Sequence, residues 1–182
     1  MVGFTLVSLV TLSVWCITVE NVIFFRSSEF EGYSYLEEPQ LLSVISTAAD
    51  RKPGTVRSES GLKLSPMAAE RALKKIKAIF EIAKEEGHDA VVLSAFGCGA
   101  FGNEFVLLVK ILSFFSGNPP HHMAELFKQV INENQYQSIF KCIAFAIIDD
   151  HNAHKKHNPD GNYSPFVNVF GTECEKSIKQ LK

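Results

Sequence analysis

Neither a disulfide framework nor a basic nucleic-acid face is present in this chain. The four cysteines, Cys16, Cys98, Cys142 and Cys174, show no close pairing and no Cys-x-x-Cys, a usage that suits a reducing compartment. With 18 Lys and Arg against 20 Asp and Glu, the formal net charge is -2, so no direct nucleic-acid partner is expected. An anionic ligand would have to be held by local backbone dipoles. Met1 to Val19 lacks Lys and Arg, is almost wholly apolar, and has no small-residue cleavage site. Those absences argue against a secretory signal peptide. The run just reaches the length of a membrane span, but scattered Thr, Ser and Val give it strand-like character. Residues 1–19 are therefore set apart as an apolar N-terminal segment, read as truncation or gene-model error in preference to a membrane anchor. A cytoplasmic or nuclear protein is expected.

What is there suits one globular domain. The 182 residues are 46% apolar and 21% charged, enough chain to bury about 70% of its unfolded surface. Glu20 to Phe25 and Leu42 to Thr47 read as strands. Ala48 to Leu64, with Lys52-Pro53-Gly54 and Ser58-Glu59-Ser60-Gly61, reads as a surface loop. A helix should follow: Ser65 can cap it and Pro66 occupies its first position. Ala69, Leu73, Ile76, Phe80 and Ala83 recur at helical spacing, and Gly87 closes the end. Ala90 to Leu93 reads as a buried strand and His121 to Asn132 as a second amphipathic helix. Ile139 to Ile148 is the most apolar strand candidate, central to a sheet. Strands alternating with helices predict an α/β layered domain.

The stretch from Leu93 to Asn103, Leu-Ser-Ala-Phe-Gly-Cys-Gly-Ala-Phe-Gly-Asn, carries the chemistry. Gly97, Gly99 and Gly102 let the backbone turn sharply and approach a ligand closely. Successive N–H groups in such a loop form an anion-binding concavity, for which a diphosphate is a natural guest. A nucleotide or nucleotide-sugar site is thus expected beyond the carboxyl end of the strand. The same spacing fits the Gly-x-Gly-x-x-Gly dinucleotide fingerprint, and a Rossmann-type domain is the alternative. That reading needs a helix starting inside the glycine run and an acidic residue about 20 positions on, whereas Glu125 falls within a helix. Cys98 is read as a small polarizable filler in preference to a nucleophile. His151, His154 and His157 have metal-like density, but Lys155 and Lys156 intervene and Asn158-Pro159-Asp160-Gly161-Asn162 marks a loop. No metal and no cofactor are expected.

The glycine loop and its flanks resemble the phosphate loop of the microbial-type poly(ADP-ribose) glycohydrolases, a branch of the macrodomain superfamily. Agreement extends to Asn21 to Arg26, Ser43 to Ala49, Asn118-Pro119-Pro120-His121-His122, and Phe145 to Asn152, so it covers roughly residues 20 to 170. The resemblance implies a macrodomain-like mixed sheet flanked by helices, over residues 20–182 and incomplete at its N-terminal side. It also implies ADP-ribose, or poly(ADP-ribose) on modified proteins, as partner. Ser94, Gly97, Cys98, Gly99, Ala100, Phe101, Gly102 and Asn103 would line the diphosphate and ribose. Phe101 would stack on the distal ribose, and Asp150 or Asn152 would touch ligand at the sheet edge. A membrane-anchored ADP-ribose-binding module stays open as an alternative.

Two departures from that family matter. Its Gly-Gly-Gly run and Gln-Glu-Glu catalytic motif occur nowhere in this sequence. Glu20, Glu29, Glu31, Glu37 and Glu38 lack the required context, so no catalytic residue is assigned and turnover is expected to be impaired. The family's loop also runs directly into Asn-Pro-Pro-His-His, which arrives here after an apolar insertion at residues 104–118. Gly102-Asn103 before the insertion is echoed by Gly117-Asn118 at its end. A splice artefact is preferred to a native buried helix, and the segment is expected to pack poorly, separating the phosphate loop from its supporting helix.

Overall fold

The computed structural model describes residues 14–59, 61–99, 117–149, 153–154 and 158–171. It is mixed α/β, with small sheets and flanking helices, and it divides into two compact units, Met1–Ala48 and Ala49–Lys182.

The first unit is an antiparallel ribbon of β1 (Cys16–Arg26) and β2 (Tyr35–Thr47). Its register runs from Cys16 opposite Thr47 to Arg26 opposite Tyr35 and is broken twice. The first break lies between Val19 and Val22, where Asn21 takes a left-handed conformation (φ 56°). That is the signature of an extra residue on one strand. The second lies between Phe24 and Arg26, across from a stretch of β2 containing Pro39, which has no N–H to donate.

The second unit opens with a hairpin, β3 (Thr55–Ser58) and β4 (Gly61–Leu64), in a stretch that reads from sequence as loop. Gly61 takes φ 108° there, a conformation in which glycine carries no Cβ penalty. Helix α1 (Pro66–Glu85) begins as expected, with Ser65 Oγ accepting from the Ala68 N–H. It ends in a Schellman turn, with Gly87 at φ 75° and the His88 N–H on the Ala83 carbonyl. Its buried stripe is Ala68, Ala72, Ile76, Phe80 and Ala83, so its N-terminal half is rotated one residue from the Ala69 and Leu73 expected.

Strand β5 (Ala90–Leu93) pairs in parallel with β6 (Cys142–Phe145). Among the described residues this ladder has only these two strands. Val91 and Leu93 are buried while Val92 is 74% exposed, so β5 alternates and is not buried on both faces. The apolar run from Ile139 to Ile148 is not one strand either. A short helical turn, α3 (Tyr136–Ile139), takes its start, and the chain leaves the ladder after Ala146 bonds the Leu93 carbonyl. Much of the apolar character that suggests a longer strand serves aromatic packing. Phe145 lies 5.2 Å from Phe127 of α2 (Pro120–Glu133) and 5.1 and 4.8 Å from Phe166 and Phe170 of α4 (Tyr163–Phe170). Phe80 stacks on Tyr136 at 4.7 Å, and both are fully buried. Each such ring contributes ~1.5–3 kcal/mol by leaving water. The Tyr136 hydroxyl donates to Glu81 Oε1 at 2.5 Å, which satisfies its polar end.

Asp149 closes the far loop. Its Oδ1 accepts from the N–H groups of Asn162 (2.6 Å) and Tyr163 (3.0 Å), capping the positive end of α4. Among the described residues no helix is long and apolar enough to cross a membrane.

Candidate functional site

Past Leu93 the chain leaves β5 through an exposed Ser94 and folds into a tight turn at Phe96–Gly99. The Cys98 N–H donates to the Ala95 carbonyl at 3.0 Å. Gly97 sits at φ 74°, so the turn begins in the left-handed region and does not start a helix. The Rossmann alternative needs a helix starting inside the glycine run; Gly97 to Gly99 do not start one, and residues 100–103 lie outside the described residues.

Three neighbours hold the turn. Asn118 donates to the Gly97 carbonyl twice, from its backbone N–H at 3.0 Å and from Nδ2 at 3.1 Å. A Cβ built on Gly97 would collide with Asn118 Nδ2 and lie 2.6 Å from the Ala49 Cβ. A Cβ on Gly117 would lie 3.1, 3.2 and 3.4 Å from the carbonyl oxygens of Gly97, Cys98 and Gly99. A side chain at Gly117 would require these carbonyls to give by a few tenths of an ångström.

Ala49 is held in place by its neighbour. Asp50 reaches α1 through Oδ2 to Arg71 Nε and Oδ1 to Lys75 Nζ, each at 2.6 Å. Burial alone would raise the Asp50 carboxyl, but hydrogen bonds and charge from Lys75 and Arg71 outweigh it and lower the pKa below its ordinary value. Both helices therefore converge on one turn, α1 through Asp50 and Ala49, and α2 through Asn118.

Cys98 is buried, with Sγ 3.7 Å from the Phe96 carbonyl. Burial pushes its thiol well above the ordinary range, which disfavours the thiolate a nucleophile needs and supports the filler reading. Asn118 leads through Pro119 into α2. There His122 Nδ1 accepts from the Leu64 N–H at 2.9 Å, and Glu125 meets Lys63 Nζ at 3.1 Å and His121 Nδ1 at 3.4 Å. These contacts fasten the β3–β4 hairpin to the start of α2.

Ser94, Gly97, Cys98 and Gly99 thus stand together at the carboxyl end of β5. Ala100, Phe101, Gly102, Asn103, Asp150, Asn152, His151, His157 and residues 104–116 lie outside the described residues. His154 bonds the Pro159 carbonyl and lies 3.4 Å from Asp149. Among the described residues no three His, Cys, Asp or Glu side chains are grouped to hold a metal ion. Sequence reasoning missed Ala49, Asp50, Gly117 and Asn118. The Gly-Asn echo was the available signal, but it left Gly117 and Asn118 inside the insertion. They pack against the turn instead, so the loop is spatially reunited with its supporting helix.

No family model matches this chain, and no curated protein sequence does. Solved structures do. Poly(ADP-ribose) glycohydrolase from Deinococcus radiodurans in complex with ADP-ribose superposes with a TM-score of 0.59 at 19% identity, over 89% of this chain and 56% of that one. This chain has the fold of a microbial poly(ADP-ribose) glycohydrolase. The glycohydrolase from Thermomonospora curvata agrees, as a glutamate-to-alanine mutant (TM-score 0.59, 21% identity, 85% of this chain and 48% of that). So does the same enzyme bound to the inhibitor ADP-HPD (TM-score 0.56, 20% identity, 85% and 48%). The chain spans about half the length of the glycohydrolases it matches.

Proposed function

We propose that this chain recognises ADP-ribose, with the diphosphate held by the backbone of the turn that starts at Gly97. One observation carries this reading. The turn lies at the carboxyl end of a parallel strand, where ligands of open α/β sheets sit, in a fold shared with a glycohydrolase solved in complex with ADP-ribose. Ser94, Gly97, Cys98 and Gly99 form the near part of the proposed site. Ala100, Phe101, Gly102 and Asn103 extend it, with Asp150 or Asn152 at its edge. A modified protein bearing ADP-ribose or its polymer is the proposed partner, in cytoplasm or nucleus, which suits free thiols at Cys16, Cys98 and Cys142. The proposed domain spans residues 20–182 with the insertion at 104–118 inside it, although β1 already begins at Cys16, so Cys16 to Val19 pair with β2 and are not set apart from it.

Hydrolysis is a separate matter. Ribosyl cleavage needs a positioned acid, and general acid assistance typically contributes ~10²–10⁴-fold. The 182 residues contain no Gln-Glu-Glu motif, so this chain alone is expected to turn over poly(ADP-ribose) negligibly while retaining some affinity for ADP-ribose. Calorimetry with ADP-ribose, with AMP as a control lacking the second phosphate, tests the binding. Incubation with ADP-ribosylated protein tests the chemistry. Absence of ADP-ribose binding would overturn the recognition, and robust ADP-ribose release would overturn the impairment.

A further inference from the structure

We propose that one face of the β1–β2 ribbon docks a basic, amphipathic polypeptide segment of a partner protein. The inference is independent of the glycine turn and of what that turn binds.

The register defines the face. Cross-strand partners share a side of a sheet, so Val19 with Val44 and Val22 with Leu42 lie on the side that also carries Ile17 and Phe24. Ile17 and Val19 reach it by simple alternation. Val22 and Phe24 reach it only because the extra residue at the break beside Asn21 shifts β1 by one. Without that shift they would turn to the opposite side. The break therefore gathers six apolar side chains on one face. None of them is buried: Ile17, Phe24 and Leu42 are 50%, 43% and 52% exposed, and Val19, Val22 and Val44 are half-buried. On the other face Cys16 and Thr18 are buried. Along this part of β1 the apolar Ile17 points out and the polar Thr18 in, the reverse of a solvated sheet.

Charge decides the occupant. Residues 14–48 hold five glutamates, Glu20, Glu29, Glu31, Glu37 and Glu38, against Arg26 alone. Arg26 is already engaged: its guanidinium donates to the Tyr33 carbonyl at 3.2 Å and the Tyr35 hydroxyl at 3.0 Å, and lies 4.5 Å from the Tyr35 ring centre. Among the described residues none of the five glutamates forms an ion pair. Glu38, two residues before the Gln40 that pairs with Phe24, alternates onto the apolar face itself. A second copy of this chain would bring the same carboxylates, and like-charge juxtaposition disfavours that pairing. Area argues the same way. A two-stranded face of this length presents on the order of 400 Å², against the ~800 Å² per partner of a stable complex. Lysine and arginine beside apolar side chains complement both the face and its rim.

The test is fluorescence anisotropy of the full chain with a labelled peptide of alternating leucine and lysine, and with the same peptide carrying glutamate for lysine. The lysine peptide should bind saturably, roughly tenfold more weakly as salt rises from about 50 to 500 mM, and the glutamate peptide should not bind. Leu42→Ser should weaken binding about tenfold, and Glu38→Lys should weaken it by about fivefold. Glu85→Lys, the same change of charge at the exposed end of α1, should leave it unaltered. Equal loss in Glu85→Lys and Glu38→Lys would reduce the effect to net charge and overturn the proposal, as would no binding at all. A dimer in sedimentation that Leu42→Ser dissolves would assign the face to a second copy instead. Loss of folding in Leu42→Ser, or a urea midpoint lowered as far as a buried leucine would lower it, would mean that another part of this chain covers the face. Either result overturns the docking site.

Discussion

The Cβ of Ala49 lies 2.6 Å from the point where a side chain on Gly97 would begin. Gly97 also sits at φ 74°, so any other residue there meets backbone strain and a wall together. Gly97→Ala should cost about 1–2 kcal/mol for the left-handed backbone and another ~1–3 kcal/mol for overpacking. Urea denaturation reads this directly, and ADP-ribose affinity should fall with it. A change below about 0.5 kcal/mol, the scale of an ordinary surface substitution, would mean the turn relaxes freely and is not a preformed site.

Acid should loosen the seam between β4 and α2. Burial is the main cause that lowers the His122 pKa below its ordinary 6.5; Glu125 opposes it, and Lys63 and His121 add to it. The unfolded chain thus takes up this proton at a higher pH than the folded one. The contribution of His122 is complete above pH 6.5 and is lost as pH falls through the folded value. Asp50, held below its ordinary 3.8, adds a further loss only at still lower pH. The urea midpoint should drop as pH falls below about 6.5. In His122→Gln, whose side-chain oxygen can accept the Leu64 N–H, that slope should flatten. An equal slope in both proteins would remove His122 from the account.

The fold was readable where local rules and tertiary packing agree. Ser65, Pro66 and Gly87 bound α1 as capping physics requires, and β5 with its glycine turn stands where the apolar run and the glycines put it. The β3–β4 hairpin was hidden because Thr55, Val56, Arg57 and Ser58 bury almost nothing, leaving no alternation to see. Helix α4 was missed because Pro165 lies in its first turn and it is only 8 residues long; Phe166 and Phe170, four apart, were its one signal. The site was half legible. The anion-binding turn is local, but its supports, Ala49 and Asn118, come from 48 positions before and 21 after Gly97, a distance no short motif encodes.

Removing the insertion should be tolerated. Gly117 abuts the carbonyls of Gly97 to Gly99, so the intervening chain departs and returns at one place. The Gly-Asn echo means that deleting 104–118 and deleting 102–116 yield the same sequence, with Gly-Asn beside Pro119. Shortening the connection by roughly three doublings should save about 2 kcal/mol of closure entropy. We expect a higher melting temperature and ADP-ribose affinity equal or tighter. A shortened protein that is less stable or binds more weakly would mark residues 104–116 as integral to the domain.

Cys98 should be chemically inert despite its place in the turn. With the thiol buried and its ionisation suppressed, alkylation by N-ethylmaleimide at about pH 7.5 should be slow until urea unfolds the chain. Cys98→Ala should bind ADP-ribose within about threefold of wild type. Fast labelling of the native protein at Cys98 would contradict the filler role.

The most direct test is to titrate ADP-ribose into nitrogen-15-labelled protein and follow the backbone amides. The account predicts that Gly97, Cys98 and Gly99 shift together and saturably, and that pyrophosphate moves the same three. Saturable binding that leaves these amides in place while others move would put the ligand elsewhere and contradict the account.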